Sequence, residues 1–527
     1  MSVPAQPSAE SAGWQSLGLV LLVALAVSLL TFNGVFGSDD VVYFDRAAQL
    51  AQGEWESANY NGALRYGFNL PAAAFIAAFG ESVATANLWP LLCSLIEVAA
   101  VYVFAASAMN RRAGVAAALL LATAPLHMAV ATRVHADPVV AMFLTVSFVA
   151  VYFGHQRNDR GLLFASGLLI GAVFWAKELA AVTWFAFLPL LGLFKGRLQQ
   201  VGIVLAGLLL AMVGHGLLMI SLAGDPLHLV KVVLSAMKRT FIDAQLGDDS
   251  AGFYLKYLFV DLRHVGLVGL LAAASWWFIG RKGDRGSASV AGYRYALIWF
   301  ASLLLVLSVF PVSLSPLRFT MKQSNYITLF LAPLAILAGM TVAALSDVWR
   351  RSVTIAAMGL GLLLGLLQQA DYRVFTANSK ALVPFALEHP KALVVGSVNN
   401  SSLGNLLARV SRPGAPRAHI FDFDEVLKEI PLYKERLPTA DSIYAVLDQQ
   451  TIAGASMKVK ITAPLPCWRH LQQVSPTGFG LGNALVSKLS SLAGPDSRVA
   501  ALLGRLGEPK RADIYRVEGR DVLCRSA

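Results

Sequence analysis

Two adjacent acidic residues follow directly on the first long apolar segment of the chain. Asp39 and Asp40 lie in the stretch Ser38–Phe44, and Tyr43 follows them closely. Two carboxylates at the rim of a membrane segment are costly to desolvate, which favours a functional role. One of them could equally be the N-cap of an amphipathic helix, which the pattern predicts over Val41–Leu50. The sequence leaves function and capping open here.

A second acidic site lies in a short turn between two apolar segments. Asp137 precedes Pro138, a pair typical of a helix N-terminus, and His135 stands two positions earlier. Capping explains Asp137 alone, but it does not explain why Asp39 and Asp40 reach the same predicted membrane face. Converging carboxylates can bind a divalent cation or remove a proton from a hydroxyl group. Asp40, Asp137 and His135 are therefore candidate ligands of Mg²⁺, Mn²⁺ or Zn²⁺, although His135 lacks typical zinc-site spacing.

Four further charged residues fall on the same predicted face. Lys177 and Glu178 stand between two apolar segments without a long loop, where they either neutralise each other or present a cation to an anionic head group. Arg318 and Lys322 lie in an external loop, where the positive-inside rule disfavours cations. A bound phosphate would account for them, and so would a solvated charged loop.

No nucleotide-binding loop or serine-hydrolase elbow is found in the sequence. The glycine-rich stretch Gly478–Gly482 follows no clear strand and is predicted to be a loop. Chemical activation must then come from another source, such as a lipid-linked substrate.

The elements that carry these residues are predicted to be membrane helices. The chain has 527 residues, of which 56% are hydrophobic and only 14% are charged, against about 25% charged in soluble proteins. The apolar residues form about eleven blocks of spanning length, here predicted at Leu17–Phe36, Ala84–Met109, Val115–Ala131, Val139–Gly154, Leu162–Ala176, Leu179–Phe194, Val201–Leu222, Val265–Gly280, Tyr295–Phe310, Tyr326–Leu345 and Val353–Leu367.

Basic residues predict the orientation of these segments. Lys/Arg clusters follow every second predicted span, and this places them all on one face, predicted to be cytoplasmic. The formal net charge of +11 is assigned to topology and to anionic lipid, not to a nucleic acid. The N-terminus is then cytoplasmic and the C-terminus external.

Three parts of the chain are predicted: a cytoplasmic leader (1–16), a transmembrane domain (17–370) and an external α/β domain (371–527). The last is predicted from buried strands at Ala392–Gly396, Ser442–Leu447 and Asp513–Val517 and from helices at Phe423–Ile430 and Leu485–Leu492. Cys467 and Cys524 either form a disulfide or are separate thiols. The apolar positions from Leu227 to Phe241 predict a helix lying in the membrane interface.

Several motifs in this order resemble those of the GT-C membrane glycosyltransferases. The subgroup is the one that contains protein O-mannosyltransferases and the lipid A aminoarabinose transferase. The resemblance covers roughly the first two-thirds of the chain and rests on Asp39–Gly53, Arg65–Pro71 (RYGFNLP), Phe79–Ser82 (FGES), Asp137–Pro138, Ala176–Glu178 and Tyr326–Gly339 (YITLFLAPLAILAG). Two departures are Arg65–Pro71 in place of a Lys-Pro-Pro-like segment and Asn325 in place of an arginine.

The resemblance implies a GT-C fold and an inverting sugar transfer from a polyprenyl-phosphate carrier to a glycan, lipid or protein acceptor on the outer leaflet. It implies that Asp39 is the catalytic base and that Asp40 and Asp137 support it or bind metal. The residues expected to bind substrate are Tyr43, Arg65, Lys177, Glu178, Arg318, Lys322 and Tyr326.

Other functions remain compatible with the sequence. A transporter or flippase should have polar residues in mid-span and two repeated halves, which are not evident here. A non-catalytic envelope assembly protein would tolerate loss of the Asp39 carboxylate. An enzyme that joins whole glycans would share the same broad fold. The setting expected for all of them is a bacterial inner membrane.

Overall fold

The computed structural model describes most of the chain. The described residues are 10–192, 197–238, 250–277, 287–315, 317–320, 322–412, 419–449, 461, 463–494 and 497–518.

Helices dominate the structure. In chain order they are α1 Glu10–Leu30, α2 Asp39–Ala51, α3 Tyr66–Phe79, α4 Val83–Ala86, α5 Leu88–Ala108, α6 Arg111–Ala122, α7 Pro125–Ala131, α8 Asp137–Arg157, α9 Arg160–Ala176, α10 Trp184–Leu191, α11 Leu198–Ala223, α12 His228–Met237, α13 Phe253–Phe259, α14 Leu262–Val265, α15 Val268–Ser275, α16 Ser287–Val309, α17 Thr328–Ala343, α18 Asp347–Glu388, α19 Val398–Ser411, α20 Phe423–Leu427, α21 Pro431–Arg436, α22 Leu481–Ala493 and α23 Arg498–Gly507. Short 3₁₀ helices span Asn61–Leu64, Glu178–Thr183, Ser324–Ile327 and Leu437–Thr439.

The described residues include 7 helices that are long and apolar enough to cross a membrane, or 8 if the bent pair α6–α7 is one span. A polytopic helical membrane protein is therefore confirmed, and these elements match eight of the about eleven predicted spans. The blocks at 162–176 and 179–194 correspond to the shorter apolar helices Arg160–Ala176 and Glu178–Leu190. The block at 265–280 contains α15 and extends past the described residues, so the full count stays a prediction.

One predicted span ends earlier than expected, and another is bent, each for a local reason. Helix α1 ends at Leu30, not at Phe36, and Gly34 follows in a left-handed conformation with φ 82°, which a right-handed helix cannot contain. The third predicted span is bent by 65° between α6 and α7, where Pro125 begins the second helix and removes a backbone donor.

The chain divides into two compact units. The membrane unit contains Met1–Phe32, Gln49–Phe75 and Asn87–Gly365, and the sheet unit contains Asn33–Ala48, Ile76–Ala86 and Leu366–Ala527. The sheet unit therefore combines the C-terminal region with two segments from the beginning of the chain.

Small residues bring helices of the membrane unit into backbone contact. A Cβ atom added at Gly167 of α9 would lie 2.0 Å from the carbonyl oxygen of Val204 in α11. One added at Gly171 would lie 2.5 Å from the Cβ of Ala211. Glycine is needed at these positions because membrane helices associate through close packing of small residues.

A short antiparallel pair, β1 Pro311–Leu314 and β2 Leu317–Phe319, also belongs to this unit.

A five-stranded mixed sheet forms the centre of the sheet unit. Its strands are β3 Ala392–Gly396, β4 Ile420–Asp422, β5 Ser442–Asp448, β6 Trp468–Gln473 and β7 Ala512–Val517, in the spatial order β4-β3-β5-β7-β6. Strand β3 pairs in parallel with β4 and β5, whereas β7 is antiparallel to β5 and β6. The predicted α/β domain and its three predicted strands are confirmed, because buried β-branched runs mark a sheet covered on both faces.

The helix predicted over Phe423–Ile430 is shorter in the structure. It ends at Leu427, Glu429 takes a left-handed conformation with φ 48°, and Pro431 begins the next helix. Proline disfavours helical geometry in the residue before it, which explains the early end. The helix predicted over Leu485–Leu492 is confirmed within α22.

Two further sequence predictions lie partly outside the described residues. Cys467 is disulfide-bonded and Cys93 is free, whereas Cys524 lies outside the described residues. A helix, α12, is present where the interfacial helix was predicted, and its place in the interface stays a prediction. Phe241 falls beyond the part of the chain that is described.

Candidate functional site

A buried ion pair joins two distant segments of the membrane unit. The Arg65 guanidinium donates through Nε and Nη2 to the two carboxylate oxygens of Glu178, each at 2.8 Å. Their side chains are only 4% and 2% exposed, and Asn61 donates a further hydrogen bond to Glu178 at 2.8 Å. A bidentate pair of this kind is geometrically specific and holds both side chains in one position.

A second ion pair lies in the same unit. The Lys177 ammonium donates to Oδ1 of Asp137 at 2.6 Å, and His135 Nδ1 lies 2.9 Å from the other carboxylate oxygen. The same ammonium stands over the Tyr326 ring, 4.7 Å from its centroid. Four predicted site residues, His135, Asp137, Lys177 and Tyr326, are therefore brought together.

The interpretation of Lys177 and Glu178 as a mutually neutralising pair is wrong. Helix α9 ends at Ala176, and Lys177 has extended backbone angles of φ −161° and ψ 106°. Successive side chains in extended backbone point to opposite sides. Lys177 is thus directed to Asp137 and Glu178 to Arg65.

The capping explanation for Asp137 is also wrong. Asp137 is the first residue of α8, the N-cap is Ala136, and no side chain caps this helix end. The carboxylate instead accepts the hydrogen bond from Lys177. Its position at the positive end of the helix dipole also favours its charge.

In the sheet unit, Asp39 and Asp40 occupy the first turn of α2. Asp40 is buried, and its Oδ2 accepts a hydrogen bond from the backbone N–H of Phe36 at 3.0 Å. Asp39 is half-buried. The bend before the helix is sharp, because Gly37 and Ser38 both have positive φ angles, of 119° and 52°. Asp40 therefore fixes the bend, while Asp39 keeps access to solvent.

The segment with Asp39 packs against the C-terminal part of the sheet unit. The Phe36 ring lies 4.4 Å from the Tyr372 ring and 4.5 Å from the Phe375 ring, both in α18. A Cβ at Gly37 would lie 2.1 Å from Asn399 Oδ1 of α19. These contacts require a glycine at position 37 and place α2 on the C-terminal helices.

Arg409 of α19 forms an ionic cluster with the same segment. Its guanidinium bonds Asp45 of α2 and, at 3.0 Å, Glu81, and it stands 5.8 Å from the centre of the Phe44 ring. Burial raises the pKa of Asp45, and the neighbouring Arg409 partly offsets this rise. Arg409 and Asp45 were not predicted as site residues, because no local pattern marks two residues that meet across 364 positions of sequence.

The remaining predicted residues are spread over both units. Tyr43 is fully buried in the sheet unit. In the membrane unit, Lys322 is buried with Nζ 5.6 Å from the Phe319 ring centre, and Arg318 is half-buried in β2. Tyr326 lies in the 3₁₀ helix Ser324–Ile327 and is buried, with only 4% of its surface exposed.

The described residues do not fit the predicted metal site. They contain no group of three or more His, Cys, Asp or Glu side chains that could hold a metal ion. Asp137 is engaged by Lys177 and His135, and Asp40 by the Phe36 amide. We therefore derive no step through a metal ion at Asp40, Asp137 and His135.

A further acidic residue is buried in the membrane unit and was not predicted. Glu97 of α5 accepts a hydrogen bond from Thr145 of α8 at 3.1 Å and lies 3.7 Å from Nε2 of His127. The only available signal was a lone acid in an apolar helix, which usually faces the interior of a helix bundle.

Comparisons with known proteins agree with this architecture. Residues 68–217 match the protein family described as dolichyl-phosphate-mannose-protein mannosyltransferase. A search of the curated proteins found no match.

Solved structures extend the likeness over most of the chain. The structure of ArnT from Cupriavidus metallidurans bound to undecaprenyl phosphate is similar with a TM-score of 0.55 and 15% identity, covering 84% of this chain and 94% of that chain. The Archaeoglobus fulgidus oligosaccharyltransferase in complex with Zn and sulfate is similar with a TM-score of 0.50 and 14% identity, covering 81% and 68%. The archaeal oligosaccharyltransferase AglB from Archaeoglobus fulgidus, in complex with an inhibitory peptide and a dolichol-phosphate, is similar with a TM-score of 0.50 and 12% identity, covering 84% of this chain and 70% of that chain.

The chain is a multi-pass membrane protein with the GT-C glycosyltransferase fold, and the resemblance seen in its sequence is confirmed. The match to the mannosyltransferase family is confined to residues 68–217.

Proposed function

We propose that this protein is an inverting glycosyltransferase that moves a sugar from a polyprenyl-phosphate carrier to an acceptor on the outer face of a bacterial inner membrane. The observation that carries the proposal is the family match over residues 68–217. This range contains three of the buried charged residues, Asp137, Lys177 and Glu178. ArnT and AglB have both been solved with polyprenyl-type phosphates, which supports this donor class. The acceptor is a glycolipid, a polysaccharide or a protein.

In the proposed reaction, Asp39 is the general base. Its carboxylate takes the proton of the acceptor hydroxyl group while the hydroxyl oxygen forms a bond to the anomeric carbon of the sugar. The bond from that carbon to the phosphate oxygen breaks, and the polyprenyl phosphate leaves with the electron pair. Half-buried Asp39 at the first turn of α2 suits this role better than Asp40, whose carboxylate accepts the Phe36 amide.

We assign a different role to the buried charges of the membrane unit. Cations stabilise the negative charge that develops on a leaving phosphate. Lys177 is held in place by Asp137 and is the main candidate for this role, with Arg318 and Lys322 as further cations. Asp137 then acts as the residue that positions Lys177.

Arg65 and Glu178 are proposed to shape the substrate site instead of contacting phosphate directly. Each satisfies the charge of the other through two hydrogen bonds, and Tyr326 contributes the ring below Lys177. Tyr43 is a fully buried residue of α2 and is proposed to support Asp39. The division into a leader (1–16), a membrane domain (17–370) and an external domain (371–527), with a cytoplasmic N-terminus, belongs to the same proposal.

The substitution Asp39→Asn tests the base. It keeps the shape of the side chain and removes the proton acceptor, so transfer should fall by about 10²–10⁴-fold. Envelope glycans and polyprenyl-phosphate sugars of the native host are compared by mass spectrometry at equal protein level. One sugar should disappear from its acceptor while the lipid-linked donor accumulates.

Glu54→Gln is the matched control, because it neutralises an exposed acid that, like Asp39, lies between the first two predicted spans. It should leave the glycans unchanged. If Asp39→Asn also leaves them unchanged although deletion of the gene alters the envelope, Asp39 is not a base. The alternative, a transporter of polyprenyl-linked glycans or a non-catalytic assembly protein, would then be favoured.

A further inference from the structure

A large groove opens on the surface of the membrane unit, and none of its lining residues is among those assigned to catalysis. Its volume is about 1050 Å³ and its walls come from α1, α6 and the first turns of α18. The walls are mainly apolar, with Leu19, Val23, Leu119, Ile355 and Met358 among the lining residues.

Basic residues gather at one end of this groove. Arg111 and Arg112 begin α6, and Arg350 and Arg351 lie in the first turns of α18. Asp347 pairs with Arg112 at 3.6 Å and with Arg350 at 2.7 Å. Among the described residues that line the groove, none is acidic. Four guanidinium groups are thus accompanied by one carboxylate, so this end of the groove, here called the mouth, carries a net positive charge.

The three helices all run away from that mouth. From Arg111 to Leu119, and from Arg350 to Met358, the helix rises by about 12 Å. The apolar walls therefore extend through most of one leaflet of a hydrocarbon core about 30 Å thick. A ligand that fits has a negative head and an apolar tail of at least this length.

We infer that the groove binds an anionic phospholipid of the bilayer, with its phosphate at Arg111 and Arg351 and an acyl chain along the apolar walls. Basic pockets between membrane helices on the cytoplasmic side recognise lipid head groups by the same charge complementarity. The Lys/Arg distribution predicts that this end of the helices is cytoplasmic, which is the leaflet with anionic head groups. The geometry of Arg111 supports the assignment, because its Nε donates to Ser16 at 2.6 Å and leaves the other guanidinium nitrogens for a phosphate.

Lipid binding to the full-length protein in detergent is measured by native mass spectrometry, with phosphatidylglycerol and phosphatidylcholine as probes. We expect phosphatidylglycerol to bind at least tenfold more tightly than phosphatidylcholine. The double variant Arg111→Gln/Arg351→Gln should weaken phosphatidylglycerol binding by about 25-fold, since each basic residue near an anionic head group contributes about fivefold.

The matched control is Arg157→Gln/Arg160→Gln, which removes two exposed arginines from the same predicted face outside the groove. It should bind phosphatidylglycerol like the wild type. Leu19→Trp provides a second test, because this 64% exposed wall residue would fill the groove without entering the core. Leu19→Trp should reduce phosphatidylglycerol binding even if the double arginine variant does not fold.

Three results would overturn the inference. The two double variants could lose binding equally, phosphatidylglycerol and phosphatidylcholine could bind alike, or a polyprenyl phosphate could displace phosphatidylglycerol from the groove at equal concentration. None of these outcomes depends on sugar transfer, so the inference can fail while the proposed function stands.

Discussion

At the scale of single residues, the site depends on which charges pair. Arg65 and Glu178 form one buried pair, and Lys177 and Asp137 form another. Buried charges are tolerated only when paired and hydrogen-bonded, because desolvation of an isolated ion is costly. The two pairs therefore hold four functional candidates in fixed positions at the ends of helices.

The substitution Glu178→Gln tests whether the buried Arg65 charge depends on its partner. It leaves the Arg65 guanidinium buried without a counter-charge, and it should lower the free energy of unfolding by about 3–5 kcal/mol. Thermal unfolding of the purified protein in detergent measures the effect.

The double variant Arg65→Met/Glu178→Leu is the control for this prediction. It removes both charges and should recover much of the lost stability, since an apolar pair of similar volume often replaces a buried ion pair at little cost. Equal stability of Glu178→Gln and wild type would contradict the buried ion pair between Arg65 and Glu178.

At the scale of elements, helix α19 holds the helix that carries Asp39. Arg409 bonds Asp45 and Glu81, and Gly37 contacts Asn399. The Arg409 side chain is 38% exposed, so each of its ion pairs contributes only about 0.2–1 kcal/mol to stability. Its effect on function should be larger, because it determines the position of α2.

Arg409→Gln should therefore lower the transfer rate by about 10- to 100-fold, as a displacement of about 1 Å can do. The melting temperature should change little, and so should the KM for the lipid-linked donor. The transfer rate and the KM are obtained from initial rates at varied donor concentration in detergent, and the melting temperature from thermal unfolding.

Arg412→Gln is the comparison variant, because this exposed arginine follows the same helix. Arg412→Gln should retain the wild-type transfer rate. Arg409→Lys should recover part of the rate that Arg409→Gln loses. If Arg409→Gln retains the full rate, α19 does not position Asp39.

At the scale of the whole molecule, the sheet unit is discontinuous in sequence. It joins Asn33–Ala48 and Ile76–Ala86 with Leu366–Ala527. The C-terminal region is therefore not an independent appendage, because Phe36 and Asp45 make their contacts with it.

A chain truncated after residue 370 should lose transfer activity although it retains Asp39, Asp137 and Lys177. The segment that carries Asp39 would lack its contacts with Phe375 and Arg409. The activity assay is made on protein that is shown by gel filtration in detergent to be monodisperse. Wild-type activity of the truncated chain would show that the C-terminal region has a separate role.

The sequence alone determined the membrane class, most helices and three of the five strands of the α/β region. These depend on local patterns, namely apolar blocks of spanning length and buried β-branched runs. It also located Asp39, Asp137 and Lys177 as chemically informative, because charges at a membrane rim are costly.

Only the tertiary structure decided which charges pair. Adjacent Lys177 and Glu178 have different partners, since a change to extended backbone directs them apart. Arg409 meets Asp45 across 364 positions of sequence, and Arg111 and Arg351 meet at one groove. Sequence patterns report the local environment of each residue, whereas such long-range pairs depend on how the helices pack.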